Sequence, residues 1–327
     1  MRRRADTGGR AVHRRLTLLR ALCVVVSALL ATAALAQDGQ LTWEQLQAVY
    51  AYDATAPLDV QQGATERRGT NVSESFSFAG ADGERVPAVL YRSEDVEAPP
   101  CCVFLHGYGG KKEDALLVAA LLLPQGMAVM AIDARLHGER AEEGRELLSP
   151  EALADGGRPL VNTVIDNRRA LDYLATREDL DAERTVLLGV SMGGILGGVL
   201  AGVDERIDAA ALLVAGGRWD LVAQDSEHPA ARRLRELGLS GELIRQMTAT
   251  IDPVSFVGHI SPRPVLMANG TEDRIIPKAC AEALHQAAQE PKQVIWYEGG
   301  HVGITPETVE TVVRWLAEEA ATAPDQQ

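Results

Sequence analysis

The chain has 327 residues, 46% of them hydrophobic and 24% charged, with a formal net charge of −14. A composition of this kind builds a large globular core, and so acidic a surface excludes proteins that hold nucleic acid or anionic membranes by charge. Aromatic residues make up only 4%, so the core must be built from Leu, Val, Ile and Ala.

Residues 1–36 read as a secretory signal peptide. Arg2, Arg3, Arg4, Arg10, Arg14, Arg15 and Arg20 form a basic head, an apolar run follows from Ala21 to Leu35, and Ala34-Leu35-Ala36 offers a small-x-small cleavage pattern. The apolar run is shorter than the ~20 residues needed to span a bilayer. Cleavage is therefore expected after Ala36, with a secreted or periplasmic product and no stable membrane insertion. Arg14-Arg15 leaves the export route open. The leader carries seven Arg and one Asp, so its loss takes the net charge to about −20.

Residues 37–72 read as an N-terminal arm with one amphipathic piece, Trp43 to Tyr50. From Ser73 the pattern turns to strands. Glu74 to Phe78 alternates, Ala81-Asp82-Gly83 turns, and Val86 to Tyr91 alternates again, which predicts a β-hairpin. After Pro99-Pro100, short apolar runs alternate with helical patterns. Strands are expected at Cys101–Leu105, Met127–Ile132, Thr185–Val190, Asp208–Ala215, Pro264–Ala268 and Gln293–Tyr297. Helices are expected at Glu113–Leu123, Leu160–Thr176, Gly193–Gly202, Lys278–Gln289 and Thr308–Ala320. Strands that are apolar throughout and separated by helices are parallel strands buried on both faces. The expected domain is one α/β unit over 73–321: a mostly parallel sheet, an antiparallel hairpin leading into it, and helices on both sides. A charged helical stretch at about 217–260 interrupts the rhythm and suits either a cap or a decorated connection. Residues 322–327 read as a frayed tail.

Neighbouring residues on a strand point to opposite faces, so a Cys101–Cys102 bridge would be strained. Cys101, Cys102 and Cys280 read as small buried hydrophobes, with a bridge from Cys280 to either neighbour left open. No metal-ligand spacing appears among Cys and His, and no cofactor is expected.

Chemistry concentrates at Gly189-Val190-Ser191-Met192-Gly193. This G-x-S-x-G follows the apolar run Val186-Leu187-Leu188 and opens a glycine-rich helix. A nucleophile elbow needs that context, because a sharp strand-to-helix turn tolerates only small neighbours while it lifts a serine Oγ above the sheet. A serine needs a base and the base an orienting acid. Among the downstream histidines, His301 lies in Gly299-Gly300-His301-Val302-Gly303 just after the last strand, where glycines let a loop carry an imidazole over the sheet edge. His285 reads as a surface residue mid-helix, His259 lacks a glycine loop, and His228 belongs to the charged insertion. The acid is expected in the exit loop of the strand Val265–Ala268. There Asp273 at the far end of the turn is favoured over Glu272, with Asp220 as the fallback. Two backbone N–H groups should hold the oxyanion: that of Met192, and that of Tyr108 in the loop His106-Gly107-Tyr108-Gly109-Gly110, which is close to the HGGG type. His106 itself is expected to hold that loop.

Together these segments resemble the α/β-hydrolase superfamily, in the broad group that includes dienelactone hydrolases, acetyl xylan esterases and prolyl-oligopeptidase-like domains. The resemblance covers roughly residues 73 to 320. Asp133-Ala134-Arg135-Leu136-His137-Gly138 is similar to the Asp-x-Arg-x-His-Gly turn after the fourth strand, read as structural. The nucleophile is Ser191 where dienelactone hydrolases carry Cys, which favours a serine esterase. The resemblance implies hydrolysis of a small or medium carboxylic ester through an acyl-enzyme on Ser191, with a small-molecule ester as the partner. An oligopeptidase-like or thioesterase activity is the alternative within the enzyme class, although residues 37–72 are too few for the propeller that oligopeptidases usually carry. A non-catalytic binding protein on the same fold is the alternative outside it.

Overall fold

The computed structural model describes residues 41–322; the expected leader with its cleavage after Ala36 and the expected frayed tail beyond Thr322 lie outside the described residues. Nine strands form one sheet: β1 (Gln61–Arg68), β2 (Asn71–Ala79), β3 (Arg85–Ser93), β4 (Pro100–Leu105), β5 (Ala128–Ile132), β6 (Asp181–Val190), β7 (Ala209–Leu213), β8 (Val265–Gly270) and β9 (Lys292–Tyr297). The order across the sheet is β1-β2-β3-β5-β4-β6-β7-β8-β9. The pairings β1–β2, β2–β3 and β3–β5 are antiparallel, and every pairing from β5 to β9 is parallel. This is the expected α/β-hydrolase arrangement.

The strands bury alternate residues on two faces. Val103, Leu187, Leu212 and Met267 join one core; Phe104, Val186, Leu188 and Leu266 join the other. Helices α4 (Arg158–Leu174) and α5 (Met192–Val203) cover the first face, with Val164, Leu171, Leu196 and Leu200 turned into it. The second face is covered by α2 (Ala115–Leu122) and α10 (Pro306–Ala321), through Ala119, Leu122, Val312 and Leu316. Burial on both faces is why β4, β5, β7 and the second half of β6 read as apolar runs rather than alternating ones. Cys101 and Cys102 fall on opposite faces, and Cys101, Cys102 and Cys280 are all buried and unpaired. Burial pushes the Cys101 and Cys280 thiols up to about 12, which keeps both as inert, protonated side chains.

Three places differ from the sequence reading. The segment expected as an arm at 37–72 contains α1 (Trp43–Val49) and the edge strand β1, which pairs with β2 and makes the hairpin a three-stranded meander. Every residue of β1 is exposed; Gln61-Gln62-Gly63-Ala64-Thr65-Glu66-Arg67-Arg68 buries neither face and so carries no alternation to read. The segment is also tied to the body. Arg169 of α4, almost fully buried, donates to the carbonyls of Ala56 at 2.9 Å and Pro57 at 3.0 Å, and Trp43 stacks on His259 at 3.5 Å between ring centroids. Second, a short helix α3 (Pro150–Ala154) precedes α4, capped by Ser149 accepting from the Ala152 amide at 3.1 Å. Third, the charged stretch between β7 and β8 folds into α6 (Trp219–Asp225), α7 (Pro229–Glu236) and α8 (Gly241–Thr248). Helix α9 (Lys278–Ala287) follows β8. Among the described residues, no helix is long and apolar enough to cross a membrane.

Candidate active site

Ser191 sits between β6 and α5 with φ 56° and ψ −117°. A non-glycine residue at such a φ costs on the order of 1–3 kcal/mol and persists only where its surroundings force it. Here the neighbours do so. A Cβ on Gly189 would overlap the Gly193 carbonyl, and a Cβ on Gly193 would overlap the Leu105 carbonyl at the end of β4. The glycines of the motif therefore set the distance between the elbow and the strand that carries the neighbouring loop. The Ser191 amide is held at 2.8 Å by the Leu213 carbonyl of β7, which fixes the turn against the next strand as well.

Three side chains expected from sequence are brought together at this turn. The Ser191 hydroxyl lies 2.8 Å from His301 Nε2, and His301 Nδ1 lies 2.7 Å from Asp273 Oδ2. The carboxylate accepts the Nδ1 proton, which leaves Nε2 as the acceptor for the serine hydroxyl. Asp273 is itself fixed: its Oδ1 accepts from the amides of Ile275 and Ile276, both at 2.8 Å. Asp220, the fallback, is not near the histidine partner set. It pairs with Arg218 at 2.8 Å and Arg245 at 2.9 Å, and those hydrogen bonds, Arg218 first, lower its pKa. Glu272 contributes its amide to the Gly299 carbonyl at 2.9 Å, tying the acid loop to the histidine loop.

The loop after β4 packs against the elbow. A Cβ on Gly107 would stand 3.7 Å from the Ser191 Cβ, so the glycine lets the loop lie alongside Ser191. His106 is buried and accepts from the Ala134 amide through Nε2 at 3.1 Å, while Nδ1 donates to the Gly107 carbonyl at 2.9 Å. Both nitrogens are used in the neutral form, and burial lowers the pKa to match. This is the loop-holding role expected of it. The Asp133-to-Gly138 turn is likewise structural. Asp133 accepts from the amides of Lys112 at 2.7 Å and Glu139 at 3.0 Å, and Arg135 is clamped by Asp166 at 2.7 Å and Asp82 at 2.8 Å.

A cavity of about 210 Å³ opens over Ser191. Tyr108 and Met192, the two residues expected to supply oxyanion donors, line it together with His301, Ile195, Trp219 and His228. Trp219 and His228 went unread as site residues. The Tyr108 and His228 rings meet edge to face at 5.1 Å. His228 Nδ1 accepts from the Ala230 amide at 3.2 Å, capping α7, so the proton of the neutral ring resides on Nε2. Desolvation first, then the neighbouring His301, lowers its pKa. His228-Pro229 ahead of Ala230-Ala231 was a legible helix start, since Pro favours the first helical position; its place above Ser191 depends on how the insertion folds back. His285 corrects the sequence reading. It is buried, not on the surface, with Nε2 donating to Asn269 Oδ1 at 2.9 Å and its ring edge-on to Trp296 at 5.2 Å. Asn269 in turn donates to the Ala215 carbonyl at 2.9 Å, joining the ends of β7 and β8.

Residues 118–321 match the sequence model of the prolyl oligopeptidase family. Among curated relatives, YtaP of Bacillus subtilis (strain 168) is 25% identical over 288 residues, covering 80% of this chain and 93% of that protein. The esterase YjfP of Escherichia coli (strain K12) is 21% identical over 222 residues, covering 66% and 88%. Among solved structures, an acetyl xylan esterase from Paenibacillus sp. R4 superposes with a TM-score of 0.72 at 24% identity, covering 86% of this chain and 95% of that one. Acetyl xylan esterase 1 from Thermoanaerobacterium sp. JW/SL YS485 does so with a TM-score of 0.70 at 16% identity, covering 86% and 99%. The fold, the elbow and the family match together make this chain an α/β-hydrolase of the prolyl oligopeptidase family.

Proposed function

We propose that this protein is a serine esterase that cleaves a small-molecule carboxylic ester through an acyl-enzyme on Ser191. The observation that carries the reading is the unbroken hydrogen-bonded chain from the Ser191 hydroxyl through His301 to Asp273. In the proposed reaction His301 Nε2 takes the hydroxyl proton as Oγ attacks the ester carbonyl. Asp273 keeps the imidazole oriented and stabilises the imidazolium. The developing oxyanion is held by the Tyr108 and Met192 amides. His301 then gives the proton to the departing alcohol, and water, activated by the same imidazole, releases the acid. The esterase YjfP and the acetyl xylan esterases among its relatives support ester over other acyl substrates. The leader pattern of residues 1–36 supports action outside the cytoplasm.

The family's description supports a second reading, hydrolysis of a short peptide by the same three residues. A panel of p-nitrophenyl esters, thioesters and peptide anilides separates them. Esters should turn over fastest, a fluorophosphonate should label Ser191, and Ser191→Ala should abolish both. Labelling elsewhere, or ester turnover that survives Ser191→Ala, refutes the assignment; anilides hydrolysed faster than esters transfer it to the peptidase reading.

A further inference from the structure

We propose that the cavity over Ser191 is an acyl-chain pocket, which makes the substrate a medium-chain acyl ester with about six to eight carbons on the acid side. This rests on the serine-esterase reading above. The shape and chemistry of the cavity carry it. Beyond Ser191, His301, Tyr108 and His228, and the unpartnered indole N–H of Trp219, its walls are hydrocarbon. Leu153 of α3, Leu160 of α4, Leu196 of α5, Ala223 of α6, and Ala231 and Leu234 of α7 close on it from five helices. All six are buried. A wall with a single free donor, the Trp219 indole, would strand most hydroxyls of a sugar or amides of a peptide without partners, at about 1–3 kcal/mol for each group left unpaired, whereas an alkyl chain brings no group that needs one.

Size sets the chain length. An apolar protein cavity of about 150 Å³ takes a benzene ring, so each carbon needs roughly 25 Å³, and 210 Å³ accommodates about eight. An acetyl group would leave most of that space empty.

The direction of exit places the acid, not the alcohol, in the cavity. The alcohol must collect a proton from His301 and leave, while the acyl group stays bonded to Oγ. The His301 side chain keeps 17% of its surface exposed, and Val302 beside it is 90% exposed, so the histidine loop reaches solvent. Helices α6 and α7 instead contribute buried apolar residues, Ala223, Ala231 and Leu234, to the wall. An ion pair between Glu146 and Arg233 links α7 to the segment preceding α3. An alcohol placed against that wall would be trapped behind its own acyl-enzyme.

The test is a pair of substrate series with the wild-type protein. In p-nitrophenyl esters from acetate to dodecanoate, kcat/KM should rise about threefold for each added methylene, following the gain from burying hydrocarbon, reach its maximum at six to eight carbons and fall beyond. In alkyl acetates of increasing alcohol length it should stay flat. A maximum at acetate, or a rise in the alcohol series instead, overturns the proposal. Ala223→Leu and Ala231→Leu, on different helices, each fill part of the cavity and should lower the octanoate-to-acetate ratio of kcat/KM about tenfold or more; an unchanged ratio in both folded variants overturns it too. Fluorophosphonate labelling separates the two levels. Ser191 labelled with a maximum at acetate rejects the pocket and retains the esterase. Ser191 unlabelled with no ester turned over rejects the esterase, and the pocket assignment with it.

Discussion

Gly193 lies against Leu105 so closely that the carbonyl of the strand residue occupies the space a Cβ on the glycine would need. The contact joins the first turn of α5 to the end of β4, so the nucleophile elbow and the loop His106–Gly110 are positioned by one backbone-to-backbone approach. That approach also explains why the motif needs its second glycine, a requirement distinct from the strained φ at Ser191.

Gly193→Ala should therefore push the elbow away from β4. We expect a loss of about 1–3 kcal/mol in stability, as for other overpacked sites, together with a fall in kcat of about 10² or more if the Met192 and Tyr108 amides serve as the proposed oxyanion donors. Urea unfolding and steady-state kinetics check both. A variant with wild-type kcat would show that the spacing of elbow and loop has no part in the reaction.

The acid is assigned by contact, and two substitutions test it. Asp273→Asn should keep a side-chain oxygen for the Ile275 and Ile276 amides while removing the charge that holds the His301 tautomer. The expected drop in kcat is about 10³–10⁴, on the scale of the equivalent change in a serine protease triad. Asp220→Asn, which touches Arg218 and Arg245 instead, should stay within about threefold of wild type. The reverse ranking would make Asp220 the acid.

His285 predicts a pH dependence of stability. Burial pushes its pKa down to about 4 from the ordinary 6.5. Between those values the unfolded chain holds a proton that the folded chain does not, so this contribution is intact above about pH 6.5 and is lost as the pH falls towards 4. It amounts to at most about 3 kcal/mol. His285→Gln cannot titrate. Its unfolding free energy should start about 1 kcal/mol lower at pH 7, for the hydrogen bond to Asn269, and decline less than wild type's between pH 7 and 4.5. Parallel curves from urea melts would exclude His285 as a source of acid lability.

The sequence by itself determined what local backbone geometry demands. Ser191 had to stand between small residues at a strand-to-helix turn and His301 to ride on a glycine loop after the last strand, while Asp273, at the turn after β8, was favoured with Asp220 left open. Each rule acts within a few residues, so each left a readable mark, and the structure joins the three at 2.8 and 2.7 Å. Parallel strands buried on two faces were legible for the same reason: an apolar run is itself the record of double burial. Only the tertiary structure decided what depends on contacts across the chain. Edge strand β1 buries no side chain and follows no pattern. His285 shows the same mid-helix spacing whether α9 turns it to solvent or, as here, onto Asn269 and Trp296. The cavity over Ser191 is walled by residues from Tyr108 to His301, drawn from separate helices and loops. Its volume and apolar walls arise from how α3 to α7 come together around it, a packing outcome that no stretch of sequence encodes alone.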